Sequence, residues 1–335
     1  MSQSPRTAVL SAGSWGTAVA KVMADAGGHV TVHARRPEIA EAINTGHRNP
    51  AYFPEIELPV NLSATTDPAA ALDGAHFLVL SIPAQALRTN LTAWAPHIAP
   101  GTVIVSLMKG IETTSGKRAS QIIAEVTGIS ADRIVVLSGP NLAGEIMEGQ
   151  PAAATVACPD EDTARHVQKA CHTPYFRPYT STDVIGCEMG GAVKNVIALA
   201  VGIATGMGFG HNATAMLITR GLAETTRLAV AMGASPVTLA GLAGLGDLVA
   251  TCSSPRSRNR TFGTHLGRGL SVDEAAAATR QTTEGVKSAQ AVLALARAHG
   301  VDMPITDVVS ALLHEKVTLD QAAAALMQRP PRPEH

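Results

Sequence analysis

Residues 11–20, SAGSWGTAVA, decide how this chain is read. The apolar run Thr7-Ala8-Val9-Leu10 precedes them. Behind it Trp15, Ala18, Val19, Val22, Met23 and Ala26 follow the i, i+3, i+4, i+7, i+8, i+11 spacing of an amphipathic helix, which Gly27-Gly28 stops. A second apolar run from His29 to Ala34 completes a strand–helix–strand unit. Between strand and helix the G-x-G-x-x-G spacing of a dinucleotide turn is matched by Gly13 and Gly16, with Ser11 in the first place. In such a turn the first glycine permits the tight bend, the second admits a pyrophosphate, and the third lets helix pack on strand. Serine serves in the first role if its backbone angles lie in an ordinary region. The helix beginning near Ser14 would then present free N–H groups and the positive end of its dipole to the pyrophosphate. A small-residue turn without a ligand has the same composition.

Outward from this unit, the runs Phe77–Leu80, Thr102–Val105, Arg133–Leu137 and Ala153–Ala157 are continuous rather than alternating, as in strands buried on both faces of a parallel sheet. A doubly wound α/β sheet is expected. Beyond about residue 182 the strand signals cease. Met189, Ala192, Val193, Val196, Ile197, Ala200, Val201 and Ala204 form an apolar helical stripe, and Ser271-x-x-Glu274 and Thr318-x-x-Gln321 read as capping boxes. The division expected is a nucleotide-binding domain over 1–182, an all-helical domain over 183–328 and a frayed tail over 329–335.

With 3% aromatic residues and a formal net charge of −1, the chain has neither stacking platforms nor a long-range field to recruit nucleic acid. The four cysteines form no CxxC pair, which argues against a zinc or redox centre and for a reducing, cytoplasmic location. Gly190 to Gly210 carries one charge, Lys194. A lysine there costs about 2.5 to 3.5 kcal/mol on insertion, so the segment reads as a buried helix and no membrane insertion is expected. His29 and His33 fall in a strand, where four residues span about 13 Å, and cannot share a metal. No metal is expected anywhere.

Where the second strand ends, an acidic residue would bind the ribose of NAD, but Arg35 and Arg36 stand there and the first acid is Glu38. Two guanidiniums suit a 2′-phosphate, favouring NADP with NAD possible. In the second half, Lys194 projects beside Gly190, Gly191 and Ala198, on a helix face stripped of bulk where something can approach it. A partly desolvated lysine has a lowered pKa and can exchange protons near neutrality; a lysine snorkelling out of a buried helix has the same surroundings. Gly244-Leu245-Gly246-Asp247-Leu248 and Ser257-Arg258-Asn259-Arg260 could clamp a small phosphate. An ordinary basic loop carries the same residues.

The stretches SAGSWGTAVA, Ser106–Glu112, Leu137–Ala143, Gly191–Ala198, GLGDL with Thr251-Cys252, Ser257–Arg260 and Thr283-Glu284-Gly285 occur in order. The set resembles the motif series of the bacterial NAD(P)-dependent glycerol-3-phosphate dehydrogenase family. The resemblance implies a Rossmann-type doubly wound sheet followed by an all-α, 6-phosphogluconate-dehydrogenase-like C-terminal domain. It implies reduction of dihydroxyacetone phosphate by NAD(P)H to sn-glycerol 3-phosphate, the precursor for phospholipid synthesis. Lys194 matches the proton-transferring lysine, and Lys109 a second lysine touching substrate and cofactor. Gly139, Asn141, Asp247, Ser257, Arg258 and Asn259 match substrate contacts. Gly13, Ser14, Trp15, Gly16, Arg35, Arg36, Tyr52, Ala143, Arg258, Thr282 and Glu284 match cofactor contacts. Two positions depart from the family: Ser11 replaces the usual glycine, and Asn141 stands where many members have serine or threonine, keeping a side chain that donates and accepts. The partners expected are the small substrate and at most a second copy of the chain. Two rivals remain on the residues alone, a related hydroxy-acid or ketopantoate-type dehydrogenase and a non-catalytic NADP-binding sensor. Cys252 is expected to pack.

Overall fold

The computed structural model describes residues 4–279 and 284–328. Eight strands run in chain order as β1 Arg6–Leu10, β2 His29–His33, β3 Leu62–Thr65, β4 Phe77–Leu80, β5 Val103–Ser106, β6 Ile134–Ser138, β7 Ala152–Ala157 and β8 Phe176–Ser181. They form one sheet in the order β3-β2-β1-β4-β5-β6-β7-β8. Between them lie α1 Ser14–Asp25, α2 Pro37–Gly46, α3 Pro68–Leu72, α4 Leu87–Trp94, α5 Ala119–Thr127, α6 Ala143–Met147 and α7 Glu161–Cys171. The apolar runs sit on both faces as their continuity requires. Ala8, Leu10, Leu78, Leu80 and Ile104 pack with Leu87, Leu91 and Ile122 on one side, while Val9, Val30, Val32, Val79 and Val105 pack with Val19, Val22 and Met23 on the other. β1 pairs in parallel with both β2 and β4, so the winding reverses at β1 and opens a crevice at the strand C-termini.

Two strands, β3 and β8, escape the apolar pattern, and each lies at a sheet edge. The wholly parallel expectation is corrected at one pairing, since β7 runs antiparallel to β6, with Leu137 opposite Val156.

From Val184 the described residues are helical: α8 Val184–Gly206, α9 His211–Ala231, α10 Pro236–Ala240, α11 Asp247–Ser253, α12 Arg258–Gly267, α13 Val272–Thr279, α14 Glu284–Ala298, α15 Pro304–Leu313 and α16 Leu319–Met327. Both capping boxes are formed: Ser271 and Glu274 exchange bonds of 2.8 and 3.2 Å, and Thr318 and Gln321 bonds of 2.9 and 3.3 Å. α8 is the hub, packed by α9, α11, α12, α14 and α15. Its length and apolarity would suffice to cross a membrane, but 89% of its most apolar window is buried inside the protein. Three of its core side chains, Val196, Ile197 and Leu199, are fully buried, and truncating one such aliphatic side chain costs about 2 to 5 kcal/mol. The tail 329–335 and Thr282 lie outside the described residues, as does the side chain of Glu284.

Candidate active site

The turn after β1 is built as its sequence predicts, with one refinement. Ser11 is not in the left-handed region, which among described non-glycine residues only His47 and Glu315 occupy. Its Oγ accepts the N–H of Gly13 at 3.0 Å, and Gly13 precedes α1 without a side-chain cap, so the first-turn N–H groups of Ser14, Trp15 and Gly16 have no intrahelical partner. Gly16 lies so close to the strand that a β-carbon there would sit 2.3 Å from the Ser11 carbonyl oxygen. Buried Asn49, which carried no sequence signal, donates to the Ala12 carbonyl at 3.0 Å and to Thr17 Oγ1 at 2.9 Å. It thereby fastens the loop bearing exposed Tyr52 to this turn.

At the end of β2, Arg35 and Arg36 are both exposed, and Arg36 meets Glu38 at 3.6 Å. Ala143 opens α6, which packs on α1. Trp15 Nε1, Ser138 Oγ and both side-chain polar atoms of Asn141 are buried with no hydrogen-bond partner. Unpaired buried groups of this kind are rare unless a ligand uses them. An uncapped helix N-terminus beside orphaned donors and two exposed guanidiniums fits a phosphorylated dinucleotide.

The two lysines come from different halves of the chain and meet on one carboxylate. Asp247, 1% exposed, accepts from Lys194 Nζ at 2.5 Å through Oδ1 and from Lys109 Nζ at 2.6 Å through Oδ2. Lys109 also donates to the Gly139 carbonyl at 3.0 Å, and Lys194 to Thr251 Oγ1 at 2.7 Å. Burial pulls the Lys194 ammonium down from 10.5 to about 8; Asp247 opposes this and the like charge of Lys109 reinforces it. A buried lysine near this value can be protonated at neutral pH and still release its proton readily.

The bare face beside Lys194 is occupied by the chain itself. At Gly190 a β-carbon would lie 2.3 Å from the Ala243 carbonyl oxygen, and at Gly191 one would lie 3.1 Å from Lys109 Cγ. The chain itself fills the space: a π-helical turn, Leu242–Gly246, comes against α8 and delivers Asp247, while Lys109 passes over Gly191. The bareness serves to assemble the lysine pair.

The proposed phosphate loop is partly committed within the protein. Ser257 caps α12 by accepting the Arg260 N–H at 3.3 Å, and Asn259 Nδ2 donates to Asn195 Oδ1 at 3.0 Å. Asn195 in turn donates to the Lys109 carbonyl at 3.1 Å. Arg258, in the first turn of α12, is exposed. Thr251 and Asn195 are thus site residues that sequence reasoning missed; their positions in the GLGDL-Thr-Cys and Lys-Asn motifs were the only signal. The Cys252 thiol is buried and pushed up to about 12, as suits packing rather than reaction.

A doubly wound sheet with a phosphate-ready turn at its switch point, and a lysine from each half of the chain meeting on one buried carboxylate, defines a nicotinamide-nucleotide-dependent dehydrogenase. The family model described as NAD-dependent glycerol-3-phosphate dehydrogenase N-terminus matches residues 6–164, and that described as the C-terminus matches 183–324. Glycerol-3-phosphate dehydrogenase [NAD(P)+] of Thermobifida fusca is 64% identical over 330 residues, covering 98% of each chain. That of Streptomyces griseus is 61% identical over 334 residues, covering 100% of this chain and 99% of its own. The crystal structure of glycerol-3-phosphate dehydrogenase from Coxiella burnetii superposes with a TM-score of 0.92 at 37% identity, covering 97% of this chain and 99% of that one. The chain belongs to the NAD-dependent glycerol-3-phosphate dehydrogenase family, as its ordered motifs imply.

Proposed function

We propose that the protein reduces dihydroxyacetone phosphate to sn-glycerol 3-phosphate, with residues 1–182 holding NADPH or NADH and residues 183–328 holding the substrate. The observation that carries this is the single carboxylate of Asp247 shared by Lys109 and Lys194. With a dinucleotide's pyrophosphate held by the α1 turn, its reduced nicotinamide would supply the hydride to the ketone carbon. As the carbonyl oxygen gains charge, Lys194 gives it a proton, and Lys109 keeps a positive charge beside it. Asp247 holds both ammonium groups in place and accepts a substrate hydroxyl. Ser257, Arg258 and Asn259 anchor the phosphate, with Gly139 and Asn141 as further substrate contacts, so binding energy far from the carbonyl fixes its orientation. At the other end of the cofactor, Arg35 and Arg36 favour the 2′-phosphate of NADP, and Gly13, Ser14, Trp15, Gly16, Tyr52, Ala143, Thr282 and Glu284 complete its contacts.

Action in the cytoplasm without membrane insertion, as a monomer or homodimer feeding phospholipid synthesis, belongs to the same reading, supported by the burial of α8. The purified protein should oxidise NADPH when given dihydroxyacetone phosphate, and Lys194→Ala should abolish turnover while NADPH still binds. Intact NADPH binding with no turnover on this ketone would overturn the assignment.

A further inference from the structure

We infer that Glu188 is a positioning residue, which from α8 grips the Arg118–Ser120 corner and so sets Lys109 against Asp247. The inference rests on the proposed role of Lys194, Lys109 and Asp247. Glu188 is 5% exposed and lies six residues, about one and two-thirds turns, before Lys194 on the same helix. Its carboxylate accepts the Ser120 N–H at 2.8 Å, the Ser120 hydroxyl at 2.7 Å and the Arg118 guanidinium. All three donors belong to the start of α5, in the nucleotide-binding half.

What reaches Lys109 from this corner is a closed loop. The chain leaves β5 at Ser106, carries Lys109, and returns where Ile111 bridges to Arg118 and the Glu112 N–H meets the Lys117 carbonyl at 3.0 Å. Arg88 grips Glu112 from the sheet side at 3.0 Å. On the helical side, Glu188, Gly191 and Asn195 stand at i, i+3 and i+7, one face of α8. Glu188 holds the loop's exit, Gly191 gives Lys109 Cγ its space, and Asn195 bonds the Lys109 carbonyl. Lys194 emerges next to this face, so one helix sets both lysines.

Stability alone does not account for a carboxylate here. Burying a salt bridge costs desolvation that its attraction roughly repays, and packed apolar residues commonly do as well or better. A charge with three converging donors instead fixes one geometry, and misplacing a reacting group by about 1 Å can cost on the order of a hundredfold in rate.

The test is the pH profile of dihydroxyacetone phosphate reduction in Glu188→Gln and in the double variant Arg118→Met/Glu188→Gln, which leaves no charge unpaired. The groups facing Lys194 are Asp247, Lys109, Thr251 and Cys252. In the parent enzyme activity should decline above about pH 8, where burial leaves Lys194 ready to lose its proton. If Lys109 drifts from Asp247, its like charge leaves Lys194 and the decline moves to higher pH, by roughly half a unit or more, with kcat down about tenfold and NADPH affinity within about twofold. Ser120→Ala, which keeps both charges, should move both readings the same way by less. A decline left at its parent position in every folded variant, whatever happens to the melting temperature, overturns the inference and makes Glu188 a helix cap only. Turnover retained in Lys194→Ala overturns the underlying reading instead.

Discussion

The two ends of the proposed active site are built on opposite electrostatic plans. Along the strand ends of the nucleotide half, positive groups stand exposed with little to meet them: Arg35, an Arg36 loosely paired with Glu38, and the uncapped first turn of α1. Against the helical half the positive groups are withdrawn from solvent and already hold a carboxylate, buried Lys194 of α8 and half-buried Lys109 of the nucleotide half meeting on Asp247. The first plan leaves room for the charge that the cofactor brings. The second needs none from the ligand, and keeps a proton on a lysine that burial alone would strip. Binding and proton transfer ask different things of a cation, and the fold answers them with solvent on one side and a counter-ion on the other.

The comparison breaks most visibly at Asp247. Asp247→Asn leaves the buried Lys194 ammonium and the half-buried Lys109 ammonium without their shared counter-charge, so turnover should fall about a thousandfold and the folded state should lose about 3 kcal/mol; denaturant titration alongside a steady-state assay reads both. Next in size is the exposed end. Arg35→Ala with Arg36→Ala should weaken NADPH about ten- to a hundredfold while leaving NADH nearly unchanged, since only the former carries the extra phosphate. Equal losses for both cofactors, measured by fluorescence titration, would refute the assignment of this pair.

A buried carboxyl held by backbone N–H groups sharpens the contrast further. Glu224 on α9, 2% exposed, accepts the N–H groups of Ile305 and Thr306 at the start of α15 at 2.7 and 3.3 Å. Burial pushes it up from 4.5 to about 7, with those N–H bonds opposing. Because the folded pKa lies above the unfolded one, this stability is fully present below about pH 4.5 and is lost as pH rises through about 7. Thermal melts across that window should show a decline worth about 3 kcal/mol that Glu224→Gln lacks, with activity within about twofold. The smallest effect belongs to Ser11→Gly. Serine is unstrained there and its hydroxyl caps Gly13, so NADPH affinity should change less than about threefold; a large tightening would show strain that the backbone does not display.

What could be read in advance followed from periodicity. The β1–α1–β2 unit, the core strands and the stripe on α8 bury apolar residues at intervals that only one secondary structure satisfies. β3 and β8 were opaque because edge strands bury one face and carry polar residues on the other. In β8, Pro178 even stands where a central strand would need an N–H. Lys194 could be picked out as a charge in an apolar helix. Its partner Thr251, the link through Asn195 and the tether from Asn49 could not, because a single polar side chain has no period and its role is set by what the fold brings opposite. The same limit left the bare face at Gly190 and Gly191 without a named occupant: small residues announce a close approach without saying whose.

That close approach bears on how the protein can change. α8 is at once the hub of the helical half, the floor under Lys109 and the mount of Lys194, so its residues answer to folding and to turnover together. In most enzymes core and site occupy different elements and can drift apart in sequence. Here a single added methyl at Gly190 would meet the turn that delivers Asp247. Routes to a more stable variant therefore lie away from this helix, in the surface of α9, α13 and α16, and the tolerance of the chain to substitution should be lowest along one helical face, where loss of fold and loss of function would be inherited as a single trait.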